Sequence, residues 1–216
     1  MKLVKTGIAG LDEFLTGGLP SKIILLSGVP GSGNDVFARQ IAFFRAKQSG
    51  VTYFTVKGTS DSIKDDMACF NWDTSPLEAT GNWKFESLSI DNQLIEKVLN
   101  EIKDNRTVIV DSLSELLLSH KTDVAISLLN AMSDQNRCRE GYHLLLLTEG
   151  MQDPKEEVAM QHFADGVISF NIGSTGDMAQ RDLVVKKMRG SFMPMRRLPY
   201  SIVRRGFVLE TATRIA

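Results

Sequence analysis

Short apolar runs recur along this chain, and most are followed by a stretch with helical periodicity; no other feature constrains the fold as much. Ile23-Ile24-Leu25-Leu26 passes through the glycine-rich segment 28–33 into an amphipathic stretch from Val36 to Lys47. Val51 to Val56 precedes a helix predicted from Ser60, as N-cap, through Cys69. Trp83 to Leu88 precedes a helix from Asn92 to Lys103, and Thr107 to Val110 ends at Asp111. Asp123 to Asn136 reads as helix and Tyr142 to Thr148 as a wholly apolar strand. Continuous apolar strands alternating with helices specify a parallel sheet covered on both faces. After Gly166 the rhythm changes. Val167 to Phe170, the turn 173–176 and Leu183 to Met188 read as a hairpin, and Tyr200 to Val203 with Phe207 to Leu209 as another. The expectation is one α/β domain over residues 1–216, with antiparallel strands added at its C-terminal edge.

Ligands of such sheets sit at the C-terminal ends of the strands. Here those ends are Gly28 to Asp35, Lys57-Gly58, Asp111-Ser112 and Thr148-Glu149. The first carries the glycine frame of a phosphate loop, G-x-x-x-x-G-K-[ST], as Gly28-Val29-Pro30-Gly31-Ser32-Gly33. Such glycines let backbone N–H groups converge on phosphate oxygens at a helix N-terminus. The lysine of the pattern reaches the β- and γ-phosphates, and the hydroxyl holds magnesium. This chain has Asn34 and Asp35 there, two charge units more negative than the pattern. Unit charges about 4 Å apart at an effective dielectric near 20 interact by roughly 4 kcal/mol, here as repulsion of phosphate. Tight Mg-ATP binding is not expected. The dinucleotide pattern G-x-G-x-x-G fails as well, because Val36 stands where its third glycine belongs. A glycine turn that simply joins strand to helix is one alternative.

Wider phrases of the chain resemble the KaiC-like branch of the RecA-superfamily ATPases. Thr6 to Leu15 with Gly17-Gly18-Leu19-Pro20 is similar to the lead-in of that family. Ser27 to Gly33 falls on its Walker A loop, Tyr53 to Ser60 on its second strand, and Phe70 to Asp73 on the phrase that follows. Val108 to Leu116 resembles its Walker B strand; Phe163 to Ile168 and Lys187-Met188-Arg189-Gly190 resemble its C-terminal signature. The resemblance spans nearly the whole chain and implies a RecA-like P-loop fold. It assigns Asp111 to the Walker B aspartate, which orients magnesium through water. It also places Lys187 and Arg189 where the family reaches a neighbour's γ-phosphate. Two glutamates that polarise the attacking water are replaced by Lys57 and Gly58, which cannot accept a proton at neutral pH.

Three parts of one machine are thus altered: the phosphate charge, the metal hydroxyl and the catalytic base. The resemblance then implies a pseudo-ATPase with no resident cofactor, acting as a regulatory or scaffolding subunit. Its partners would be its own copies, as in a hexameric ring, or an active paralogue. Asp35 would stand in for the nucleotide's charge, paired with Lys57 or with Lys187 and Arg189 of a neighbour. Two alternatives stay open: weak ATP or ADP binding with magnesium, in which Lys57 supplies the charge, and nucleic-acid binding as in other RecA relatives.

Charge distribution bears on those partners. From residue 181 onward nine Lys or Arg face Asp182 and Glu210, a net +7 that leaves −8 on residues 1–180. An acidic body with a basic tail suits head-to-tail association or nucleic acid. The aromatics interleaved there are few, Phe192, Tyr200 and Phe207. Cys69 and Cys138 lack the spacing of a disulfide framework or zinc site. Met1 to Gly7 carries no apolar leader, and no run approaches the about 18 apolar residues of a membrane span, so a cytoplasmic protein is expected. His120, His143 and His162 lack metal-ligand spacing and read as structural or surface residues. Met188, Met193 and Met195 read as packing residues, Trp72 and Trp83 as core or loop anchors.

Overall fold

A computed structural model describes residues 3–56, 58–88, 93–119, 122–139, 141–175, 178–192 and 195–210. Leu3–Val4 (β1) and Leu19–Pro20 (β2) form a small ribbon around the helix Ala9–Phe14 (α1). Ile23–Gly28 (β3) leads to Asn34–Ala46 (α2), and Val51–Thr55 (β4) to Ser60–Ala68 (α3) and Ser75–Ala79 (α4). Trp83–Ser87 (β5) is followed by Leu94–Lys103 (α5), then Thr107–Asp111 (β6) by Leu113–Ser119 (α6) and Thr122–Asn136 (α7). His143–Thr148 (β7) precedes Pro154–Phe163 (α8). The chain then runs as strands only: Gly166–Thr175 (β8), Met178–Met188 (β9), Leu198–Val203 (β10) and Gly206–Leu209 (β11).

The large sheet has the order β11-β10-β9-β8-β3-β7-β6-β4-β5. From β8 to β5 every pairing is parallel, whereas β9, β10 and β11 pair antiparallel with their neighbours. The expected fold class is therefore the observed one. Strand alternation separates two apolar layers. Ile24, Leu26, Tyr53, Ile109, Leu144 and Leu146 face one layer, with Phe37, Ala38, Ile41 and Ala42 of α2. Ile23, Leu25, Phe54, Val110, Leu145 and Leu147 face the other, against α5, α7 and α8. With both faces covered, the central strands need no polar alternation.

Boundaries shift in ways that matter. α2 starts at Asn34, two residues before the predicted stretch, so Asn34 and Asp35 belong to its first turn. The N-cap of α3 is Thr59 rather than Ser60: the Thr59 hydroxyl accepts from the Ser62 N–H at 3.3 Å. β8 and β9 extend well beyond the predicted hairpin because their polar outer ends pair with each other. α1, α4 and α6 are not marked by the sequence reading; His162 lies on α8, as a helix there suggests, and Asp153 followed by Pro154 is its entry. Trp72 and Trp83 are buried as anchors. Met188 is buried, but Met195 is 78% exposed and fills no gap, which corrects the packing assignment; Asn92, His120, Gly176 and Met193 lie outside the described residues.

His143 opens β7 inside the core. Its Nδ1 accepts from the Val108 N–H at 3.0 Å, and Nε2 faces Asn136 Oδ1 at 3.2 Å, so the ring is neutral with the proton on Nε2. Burial, reinforced by Arg45, depresses His143 from 6.5 to about 3. Between those values the unfolded chain binds a proton that the folded chain refuses, so stability falls as pH drops through that window. The expected slope from this group is about 1.4 kcal/mol per pH unit mid-window. Urea titrations from neutral pH down to pH 4 test it: His143→Gln should show a shallower decline than the parent, and parallel declines would refute the assignment.

Candidate functional site

The loop between β3 and α2 lies at the C-terminal edge of the parallel strands. Gly33 adopts the left-handed conformation (φ 82°) as the N-cap of α2. A Cβ there would collide with Ile202 Cδ1, and one on Gly28 with Ser32 Oγ. The C-terminal strands hold the loop from the other side. Arg181 Nε donates to the Gly31 carbonyl at 3.3 Å, and the Tyr200 hydroxyl donates to the Ser32 carbonyl. The loop is therefore clamped between its own helix and the β9–β10 edge.

The two residues that depart from the phosphate-loop pattern have defined partners. Asn34 Nδ2 donates to the Leu26 carbonyl at 3.2 Å, and its Oδ1 accepts the Asp35 N–H at 3.1 Å. One helix-start donor that could face an anion is thus engaged by a side chain. Asp35 lies 3.4 Å from Arg39, one helical turn on. Arg39 also reaches Asp66 at 2.9 Å, Asp111 at 3.7 Å and the Tyr53 hydroxyl at 3.4 Å. Tyr53 in turn donates to Asp111 Oδ2 at 2.7 Å.

Burial pushes the Asp111 carboxyl above its usual range; the Tyr53 hydrogen bond and Arg39 oppose this without cancelling it. Burial and the Asp111 charge likewise raise the Tyr53 phenol well above its ordinary value. For Arg39 burial disfavours the charge, but Tyr53, Asp35 and Asp111 outweigh it, so the guanidinium stays ionised. Asp35, Arg39, Asp66 and Asp111 border a cavity of about 460 Å³, with Pro30, Gly31, Gly58 and Glu115 also on its wall. Gly58 is exposed, with no atom within 4 Å of a would-be Cβ, and offers no proton acceptor.

The structure brings the loop, Gly58 and Asp111 to one cavity, as the sequence suggested. Lys57 lies outside the described residues. Lys187 and Arg189 hold the end of α8 in their own chain. Lys187 Nζ donates to the Gln161, His162 and Ala164 carbonyls at 3.1, 2.6 and 2.7 Å. Arg189 donates to the His162 carbonyl at 3.0 Å and lies 3.4 Å from Asp165. Within the chain Asp35 thus pairs with Arg39 rather than with either finger-like cation. Sequence reasoning missed Arg39, Tyr53 and Asp66. The Asp35–Arg39 spacing of four was legible once the helix is allowed to begin at Asn34. It also gave Glu149 no contact; Glu149 accepts from Ser27 Oγ at 2.7 Å and Ser169 Oγ at 3.2 Å beside Gly28.

Among the described residues no group of three or more His, Cys, Asp or Glu is arranged to hold a metal ion. Nor is any helix among them long and apolar enough to cross a membrane. A family model described as "ATPase: KaiC" matches residues 4–213. A UPF0273 protein of Thermotoga maritima is 27% identical, with 97% of this chain and 96% of the relative aligned. One from Aeropyrum pernix is 30% identical over 95% of this chain and 92% of the relative. Among solved structures, the KaiC-like protein PH0186 of Pyrococcus horikoshii superposes with a TM-score of 0.83 at 22% identity, covering 97% of this chain and 99% of that one. That likeness concerns the fold, and the family match spans the chain from β1 to β11. The chain belongs to the KaiC family of ATPases.

Proposed function

We propose that this KaiC-family chain is a pseudo-ATPase that serves as a regulatory or scaffolding subunit, in assemblies with its own copies or with an active paralogue. The observation that carries this reading is the first turn of α2. Asn34 takes the Asp35 N–H and the Leu26 carbonyl for itself, and Asp35 brings a carboxylate to the cavity wall where the pattern has a metal-binding hydroxyl. These residues do not fit Mg-ATP. The loop lacks the lysine of its pattern, its metal hydroxyl is an acid, and Gly58 holds the place of a base. The clamp by Arg181 and Tyr200 fixes the loop without a nucleotide. A nucleic-acid role has less support, since Arg181, Lys187, Arg189 and Arg197 of the basic tail all have partners within the chain.

Calorimetric titration with Mg-ATP and Mg-ADP into the millimolar range, with native mass followed in parallel, tests the proposal. The expected result is no saturable heat and a mass that does not respond to nucleotide. Saturable binding accompanied by phosphate release would sink it. Binding without release would leave a nucleotide-sensing subunit, and Lys57→Ala would then show whether that lysine supplies the missing charge.

A further inference from the structure

Four carboxylates, Asp35, Asp66, Asp111 and Glu115, border the cavity beside the loop, and among the described residues its one cation is Arg39. The guanidinium is held from four elements. Nη1 lies 3.4 Å from Asp35 on α2 and 2.9 Å from Asp66 on α3, and Nη2 lies 3.7 Å from Asp111 at the end of β6. Nε donates to the Tyr53 hydroxyl on β4 at 3.4 Å. The Arg39 and Asp111 side chains are 11% and 21% exposed, so their pairing is less screened than a surface ion pair, whereas Asp35 and Asp66 open to solvent at 42% and 61%. A planar fork with five donors can satisfy several acceptors at once, as a flexible ammonium cannot.

In a phosphate loop of this kind a divalent cation lies between the residue at position 35 and the strand-end aspartate. Here the cation between Asp35 and Asp111 is a side chain of the chain itself. We infer that the Arg39 guanidinium is a built-in counter-ion that takes the place of the divalent metal. It neutralises Asp35 and Asp111 and ties α2, α3 and β6 together with no nucleotide present. The inference rests on the non-catalytic reading of the same loop and adds what replaces the metal.

Removing Arg39 would leave Asp35 and Asp111 facing one cavity without compensation. Two carboxylates completed by water are a donor set that magnesium-like ions accept. The test is titration of the purified full chain with Mn2+ in the absence of nucleotide, following free Mn2+ by electron paramagnetic resonance. The parent should show no saturable site, and Arg39→Gln should gain one. Its apparent dissociation constant should lie about tenfold or more below the highest Mn2+ concentration at which the parent shows no saturation, because a unit charge within about 4 Å is removed. Adding Asp111→Asn to Arg39→Gln should abolish the gain.

A folded Arg39→Gln protein that gains no Mn2+ site overturns the inference. Saturable Mn2+ binding by the parent that Asp111→Asn alone removes overturns it too. That second comparison needs no Arg39 variant and decides the matter where Arg39→Gln fails to fold. ATP hydrolysis measured on the same parent protein separates the two readings: turnover without a nucleotide-free Mn2+ site defeats the pseudo-ATPase proposal and leaves Arg39 as the resident cation.

Discussion

The double substitution Asn34→Lys with Asp35→Thr is expected to give the loop saturable Mg-ATP binding. It removes a carboxylate, adds an ammonium and frees the Asp35-position N–H that Asn34 Oδ1 now occupies. Each charge change, at about 4 Å and an effective dielectric near 20, is worth roughly 4 kcal/mol before screening. Even heavily screened, the pair should tighten ATP by about a hundredfold or more, since about 1.4 kcal/mol is tenfold. Phosphate release should not rise in proportion, because Gly58 still lacks an acceptor. Titration calorimetry and a phosphate assay on one preparation read both quantities. A double variant that binds no better than the parent would mean that charge is not what closes the loop. The clamp from Arg181, Tyr200 and Ile202 would then be the obstacle.

Phe37→Ala should be the most damaging single truncation in the helix that follows the loop. Phe37 is fully buried on α2, three residues beyond Asn34, and meets Phe170 of β8 and Phe207 of β11 edge-on, each at 5.0 Å between ring centres. Truncating such a side chain costs about 3–5 kcal/mol, partly as lost burial and partly as an unfilled cavity. For a chain of this length that corresponds to a fall in Tm on the order of 10 °C. Because Phe37 joins the loop's helix to the C-terminal strands, limited proteolysis should also cut sooner near the exposed Arg204-Arg205 turn between β10 and β11. A loss under about 1 kcal/mol, with unchanged proteolysis, would show that the loop is not anchored through this cluster.

Much of this protein is legible in its sequence because burial on both faces of a parallel sheet writes itself as unbroken apolar runs. Ile23 to Leu26, Val108 to Val110 and Leu144 to Leu147 could be placed as central strands from hydrophobicity alone. The glycine frame 28–33 marked the loop, and Asn34, Asp35, Lys57 and Gly58 marked its departures from the pattern, because residue type fixes charge and proton affinity without reference to fold. The outer strands were less legible. β8 and β9 continue through polar residues whose pairing partners are each other, a long-range fact that no local period reports.

The site's wiring is a different matter. Arg39 and Asp35 share a helix, so half of that interaction was available from spacing. Asp66, Tyr53 and Asp111 lie on α3, β4 and β6, and only the strand order, with β4 paired to β6, brings them to one guanidinium. Likewise Lys187 and Arg189 sit at the end of β9, but whether they point to a neighbour or to their own α8 depends on how that helix ends beside the strand. Sequence alone determined which charges the loop carries, since that is set residue by residue. The tertiary structure decided what those charges meet, because partners separated by 27 and 72 positions are joined only when the sheet is assembled.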